Sequence, residues 1–264
     1  MSFVVVPQWQ GSPSSRAMRL AEGAEAIRGD LPAASTRVVE IPWQAGDAQG
    51  TGIARYSSLQ LVRQRMAEAL GSAGSPAIVI GGDCGVSGAA VAHAASPEVA
   101  LVWFDAHPDL NTPASSPSGA YGGMVLASLI DDGLVEPQRV LLAGARAWDE
   151  AEAAFAAERG VRSLSVEQLA DAEAVADAVV ATGATRVFVH IDLDVLDPAD
   201  FAGLLDPIPF GVPAAHLVAT VRALVARVPL AGATIASFAP ESVEASVDDA
   251  STILRLIAAL RTSR

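Results

Sequence analysis

The chain has one cysteine in 264 residues, so no disulfide can form within it. That suits a reducing compartment, and a cytoplasmic location is expected. No apolar run reaches the roughly 18 residues that a membrane-spanning helix needs, so no membrane partner is expected. The N-terminus, MSFVVVPQWQ, lacks a basic segment followed by an apolar one, so no signal peptide is expected either. Basic residues are scarce: 17 Lys and Arg stand against 30 Asp and Glu, for a net charge of −13. Such a surface repels nucleic acid and anionic lipid, and it weakly favours cationic small molecules and metal cations. Solubility alone also accounts for the charge. Internal repeats, low-complexity tracts and long linkers are missing too.

Alternation is what the chain has in abundance. Apolar, β-branched runs at 3–7, 36–42, 76–83, 99–107, 139–146, 185–194 and 232–240 are separated by segments of helical period. Those segments lie near 16–29, 53–71, 86–95, 121–131, 149–159, 165–181, 213–226 and 247–261. Continuous apolar strands that alternate with helices predict a mostly parallel sheet covered on both faces, a three-layer α/β/α sandwich. Residues 1–264 are read as one domain with a sizeable core. The stretch NTPASSPSGAYGG (111–123) follows a strand and is rich in Ser, Pro and Gly, which predicts a long functional loop.

Carboxylates collect where the strands stop, the place where α/β sheets bind ligands. VWFDAHPDL carries Asp105, His107 and Asp109; VHIDLDVLDP carries His190, Asp192, Asp194 and Asp197; IGGDCG carries Asp83. Side-chain alternation along extended strands predicts Asp105, His107 and Asp109 on one side, and likewise His190, Asp192 and Asp194. Bare carboxylates at that density repel and raise one another's pKa. Divalent cations relieve the repulsion, and a carboxylate-plus-imidazole set suits Mn²⁺, Fe²⁺ or Zn²⁺ better than Ca²⁺. A lone Asp after a strand is usually a helix cap or a turn former. Two DxD-type clusters with an intervening His argue against that here.

Three motifs, in order, resemble the ureohydrolase (arginase) family over nearly the whole length. GGDCG (81–85) stands where the family has GGDHS, DAHPD (105–109) where it has DAHxD, and DLDVLDP (192–198) where it has DxDxxDP. The resemblance implies two Mn²⁺ held by Cys84, Asp105, His107, Asp109, Asp192 and Asp194, with a shared water as nucleophile. In arginases proper an Asn, a Thr and a Ser after DAHxD read the substrate's amino-acid end. Asn111, Ser116 and Ser118 stand at matching places, and Asp149 in GARAWDEAE matches the acidic residue that serves the ammonium. Neutral donors for a carboxylate plus an anion for an ammonium imply a small guanidino amino acid as partner, with agmatine a poorer fit. The same residue types are also ordinary loop formers.

Three departures from the family pattern shape the rest. Cys84 replaces a metal-binding His, Gly122 stands where a proton-shuttling His is expected, and Ser237 stands where a Glu holds the guanidinium, with Glu241 as a competing candidate. A thiolate would make the site one charge more negative, a thiol would bind its metal weakly, and sulfur is soft for manganese. Without the Glu, the protonated guanidinium of arginine loses its anion. A less basic N-hydroxylated guanidine loses less, and its hydroxyl could meet Ser237 or Cys84. This combination resembles the branch of the family that hydrolyses Nω-hydroxy-L-arginine to hydroxyurea and L-ornithine in D-cycloserine biosynthesis. The resemblance implies roles near the reacting group for Cys84 and Ser237, and a proton-moving role for Asp109. His190 is open between a substitute proton shuttle and a core histidine that orients a ligand carboxylate. Three other readings stay open. One is an ordinary arginase or another guanidino-acid or agmatine hydrolase. The second is a metal-free hydrolase with Cys84 as nucleophile. The third is a degenerate metal-binding scaffold. Monomer and homo-oligomer are both left open.

Overall fold

The computed structural model describes residues 1–261. The first half of the chain forms β1 (Ser2–Val6), α1 (Met18–Gly29), β2 (Thr36–Val38), α2 (Tyr56–Gly71), β3 (Ala77–Gly81), α3 (Ser87–Ala94) and β4 (Val99–Phe104). After a long loop come α4 (Val125–Asp131), β5 (Val140–Ala143), α5 (Glu150–Arg159), β6 (Arg162–Leu164) and α6 (Ala174–Val180). β7 (Arg186–Asp192), α7 (Ala214–Arg227), β8 (Leu230–Ala236) and α8 (Val243–Ala259) complete it. The strands form one sheet in the order β2-β1-β3-β8-β7-β4-β5-β6, and every pairing is parallel.

Both faces of the sheet are dry, as continuous apolar strands require. Phe3, Val5, Ile78, Ile80, Val102, Phe104, Val189 and Ile191 share a core with residues of α1, α6, α7 and α8. The alternate residues Val4, Val6, Val79, Leu101, Trp103 and Phe188 share a second core with residues of α2, α3 and α4. Each such side chain contributes about 1.5–3 kcal/mol through removal from water. The α/β/α sandwich is therefore as expected.

Three local expectations need correction. The apolar-run reading misses β6, a three-residue edge strand with two exposed side chains and no hydrophobic signal. The helix expected at 165–181 forms only over Ala174–Val180, because Asp171 leaves the helical conformation and its Oδ1 accepts from the Glu173 amide. Strand alternation does not set the metal motifs either. β4 stops at Phe104, Asp109 turns back in a left-handed backbone (φ 54), and Asp194 sits in a 3₁₀ turn that follows β7. The sheet order still sets the tips of β3, β8, β7 and β4 side by side at its centre. The segments that leave these tips carry Cys84, Ser237, Asp192 with Asp194, and Asp105.

Candidate metal centre

Backbone amides and buried side chains aim the carboxylates. Asp83, next to the tip of β3, accepts from Gln8 Nε2, Gly11 N and Gly85 N, each at 2.9 Å. Burial nevertheless pushes its carboxyl up to about 6. A Cβ at Gly11 would stand 2.1 Å from Asp83 Oδ1, so only glycine lets this loop close over the carboxylate. Asp83 thereby fixes the 3₁₀ turn that presents Cys84. Asp105 Oδ2 accepts from Trp103 Nε1 at 3.1 Å and its Oδ1 from the His107 amide at 2.7 Å. Asp194 Oδ1 accepts from the Ala106 amide at 3.0 Å, and its Oδ2 lies 2.8 Å from His107 Nδ1. Asp192 Oδ1 accepts from the Asp194 amide at 2.8 Å, and its Oδ2 accepts from Cys84 Sγ at 2.7 Å and from Ser237 Oγ.

Two groups of potential ligand atoms result. Cys84, Asp105, Asp109 and His190 place theirs within 4.8 Å of one another, and so do Asp105, His107 and Asp194. Asp105 belongs to both groups. Asp192 belongs to neither group but holds Cys84 in the first. Burial, reinforced by the neighbouring carboxylates, holds the carboxyls of Asp109, Asp192 and Asp194 above the usual range. Burial also opposes an ionised Asp105, but His107 and His190 outweigh it and hold that carboxyl low. Burial opposes a charged His107 as well, yet Asp105 and Asp194 push its imidazole up to about 12. The Cys84 thiol is raised by burial and then by Asp192, Asp109 and Asp105.

The donor set fits divalent metal ions. Asp109 Oδ2 and His190 Nε2 are buried and have no hydrogen-bond partner. An unpaired buried polar group costs about 1–3 kcal/mol. Cations among crowded carboxylates satisfy both atoms and relieve the mutual repulsion. The oxygen-rich, imidazole-containing set is of the kind that suits manganese.

A cavity of about 590 Å³ joins this cluster to the loop. Cys84, His107, Asp109, Asp194 and Ser237 line it, as do Asn111, Ser116, Ser118 and Asp149. Asn111 donates from Nδ2 to Asp149 Oδ2 at 2.7 Å and accepts from Ser115 Oγ at 2.8 Å. The hydroxyls of Ser116 and Ser118 lie 3.5 Å apart and accept from the Gly119 and Ala120 amides. Asp149 is also the N-cap of α5, in a reciprocal capping box with Glu152. The Asn111 hydrogen bond, aided by the α5 cap, holds the Asp149 carboxyl below the usual range. Ser237 faces the cavity from a left-handed backbone (φ 66), while Glu241 is exposed and does not line it. Gly122 lines the cavity too, and a Cβ there would stand 3.2 Å from Gly11 O, so a histidine at this position would crowd the loop. His190 is fully buried beneath the cluster and does not line the cavity. A larger groove of about 860 Å³ runs along α2 and Tyr121, and no carboxylate of the cluster lines it.

Residue type alone does not reveal four supporting residues. Ser87 lies 2.8 Å from His190 Nδ1, and Trp103 stacks on the same ring with centroids 3.6 Å apart. Glu152 accepts from the Leu110 amide at 3.2 Å as well as capping α5. Arg146 donates to the carbonyls of Gly144, Asp194, Val195, Leu196, Ile208 and Pro209, tying down the segments that follow β7. The only hint of Arg146 in the sequence is an arginine that ends an apolar run.

Known proteins share this fold. The family model described as the arginase family matches residues 15–260. The chain is 33% identical to an N(omega)-hydroxy-L-arginine amidinohydrolase of Streptomyces lavendulae over 69% of this chain and 67% of that one. It is 31% identical to an arginase of Bacillus caldovelox, where the match spans 50% of each chain. In three dimensions, the arginase of Bacillus caldovelox superposes with a TM-score of 0.86 at 22% identity, covering 100% of this chain and 98% of that one. The Entamoeba histolytica arginase in complex with L-ornithine superposes with a TM-score of 0.85 at 21% identity, covering 98% and 97%. Those structural likenesses establish the fold. Together with the family match over nearly the whole length, they agree with the motif order read from the sequence, and the chain belongs to the arginase family of C–N bond hydrolases.

Proposed function

We propose that this chain hydrolyses Nω-hydroxy-L-arginine to hydroxyurea and L-ornithine. Cys84, Asp105, His107, Asp109, Asp192 and Asp194 would hold two Mn²⁺, whose role is to make a shared water nucleophilic near neutral pH. The observation that carries the substrate choice is a neutral wall beside the carboxylates. Cys84 Sγ and Ser237 Oγ lie 3.7 Å apart, line the cavity and both donate to Asp192 Oδ2. In the metal-free chain burial and the surrounding aspartates keep the thiol protonated, and the Ser237 hydroxyl is neutral whether or not Cys84 ligates as a thiolate. A protonated guanidinium in this cavity lacks a carboxylate from the segment after β8. An N-hydroxylated guanidine is less basic and has a hydroxyl that can hydrogen-bond to Ser237 Oγ. The 33% identity to a hydroxyarginine amidinohydrolase supports the same substrate.

The cavity also suits the amino-acid end. Asn111, Ser116 and Ser118 supply neutral donors for an α-carboxylate, and Asp149 supplies an anion for an α-ammonium. Asn111 Nδ2 would turn from Asp149 toward the substrate carboxylate. At the other end the bond between the guanidine carbon and Nδ breaks, and that nitrogen leaves as the ornithine amine after it gains a proton. Asp109 lines the cavity beside the cluster, where its carboxylate is placed to take a proton from the attacking water and return it to the amine. A metal-free route through Cys84 is disfavoured, because a raised thiol is a poor nucleophile. A reducing cytoplasm suits the single buried, unpaired cysteine. A place in D-cycloserine-type antibiotic biosynthesis accompanies this substrate.

The test is an ornithine assay on Mn²⁺-loaded protein with Nω-hydroxy-L-arginine and L-arginine, and a urea assay with agmatine as a third candidate. Hydroxyarginine should turn over fastest. Faster release of ornithine from arginine would overturn the substrate assignment.

A further inference from the structure

His190 has the geometry of a ligand rather than of a core residue. Its Nδ1 lies 2.8 Å from Ser87 Oγ, and its ring stacks on Trp103 at 3.6 Å with an interplanar angle of 21°. Trp103 Nε1 also donates to Asp105 Oδ2, so one indole fixes both the imidazole and the carboxylate beside it. When Nδ1–H donates to Ser87 Oγ, Nε2 carries a bare lone pair. That Nε2 is buried without a partner, and its nearest carboxylate oxygen, Asp105 Oδ2, is 3.8 Å away, too far for a hydrogen bond. Asp109 Oδ2, in the same four-residue group with Cys84, is the other unpartnered atom of the cluster. A cation between these two orphaned atoms of ligand type satisfies both, and the structure forms no hydrogen bond to either of them. A proton shuttle needs a path to the cavity, and His190 is 0% exposed.

We propose that His190, through Nε2, ligates the divalent cation held by Asp105 and Asp109, supplying the imidazole nitrogen that Cys84 does not. The inference rests on the two-metal reading above. It accounts for an exchange of roles within one site: sulfur replaces nitrogen at the turn after β3, and nitrogen returns from the interior of β7. A neutral imidazole restores a borderline ligand that manganese accepts without adding charge to the crowded aspartates. Ser87, whose hydroxyl holds the far side of the ring, is then the positioning residue for that ligand.

The experiment loads the unaltered chain with Co²⁺ and records its proton NMR spectrum in water. A hyperfine-shifted, slowly exchanging imidazole N–H from His190 Nδ1 is expected, and it should vanish in His190→Asn. After Mn²⁺ loading and desalting, His190→Asn should retain about one metal per chain where the unaltered chain retains about two. Ser87→Ala should keep both but bind the weaker one about 10–100-fold less tightly. Thermal melts in chelator separate folding from ligation, since His190→Asn should lose the metal-induced rise in Tm and keep a cooperative transition. If that variant does not fold, the spectrum of the unaltered chain decides alone. Two tightly held metals with no shifted N–H from His190 would overturn this inference and leave the two-metal reading standing. No metal bound by the unaltered chain would overturn both.

Discussion

Loading the metal centre must expel protons, and the structure sets how many. In the metal-free chain the His107 imidazole is pushed up to about 12 by Asp105 and Asp194, so it is charged at neutral pH. A metal bound to that ring takes the place of one proton. Asp109 and Asp192 are held well above the usual carboxylate range by burial and by their neighbours, and each has up to one more proton to give. Ligation by Cys84 as a thiolate would add one more, so binding of Mn²⁺ near pH 7 should release about one to four protons per chain, and log K should rise by about one to four per pH unit. Calorimetric titration of chelated protein in two buffers of different ionisation enthalpy measures the release directly. Stability should respond in the opposite sense in the metal-free chain. Carboxyls whose native pKa lies above the unfolded value stabilise the fold while protonated, and that contribution is lost as pH rises through the native value. The chelated protein should thus lose stability as pH rises above the ordinary carboxylate range, through Asp109, Asp192 and Asp194. With saturating Mn²⁺ the trend should reverse, because deprotonation then favours binding to the native state. Equal binding heats in the two buffers, or a metal affinity flat with pH, would refute the reasoning.

Other outcomes follow from single contacts. Ser237→Glu should raise kcat/KM for arginine relative to hydroxyarginine by roughly 10–100-fold, since a charge-assisted hydrogen bond to the guanidinium contributes about 1.5–3 kcal/mol; an unchanged ratio in paired ornithine assays would contradict the neutral-wall account. Arg146→Ala should cost about 2–4 kcal/mol by stranding carbonyls around the segments after β7, seen as a Tm lower by about 5–15 °C. In the metal-free protein Cys84 should alkylate slowly at neutral pH, because burial and three aspartates hold its thiol high; mass spectrometry after a timed iodoacetamide exposure measures it.

The sandwich was legible because each strand of its centre is a predominantly apolar run, and such runs need cover on two faces. β6 was not, because a short edge strand with exposed Arg162 and Ser163 has no hydrophobic reason to look like a strand. Asp105, His107 and Asp109 were legible as a group from their residue types, but for a reason the structure replaces. Their convergence comes from a left-handed turn at Asp109 and from amide hydrogen bonds, where alternation along a strand was expected. Asn111, Ser116, Ser118 and Asp149 were legible from their order after DAHPD, and they do share a cavity with the carboxylates. The partnership of Ser87 with His190 was beyond reach, since the two are 103 residues apart and meet only because α3 packs under β7.

Trp103 gives the protein a built-in optical gauge. Of the four tryptophans it is the one with no solvent exposure, so its emission should be blue-shifted and well separated from that of Trp43, which is 89% exposed. Its indole touches His190 with its face and Asp105 with its N–H, so any change in their charge or position alters its excited state directly. A chain with Phe at positions 9, 43 and 148 would glow from this single reporter, and the arrival of each ion could be followed in real time by stopped-flow without an added dye.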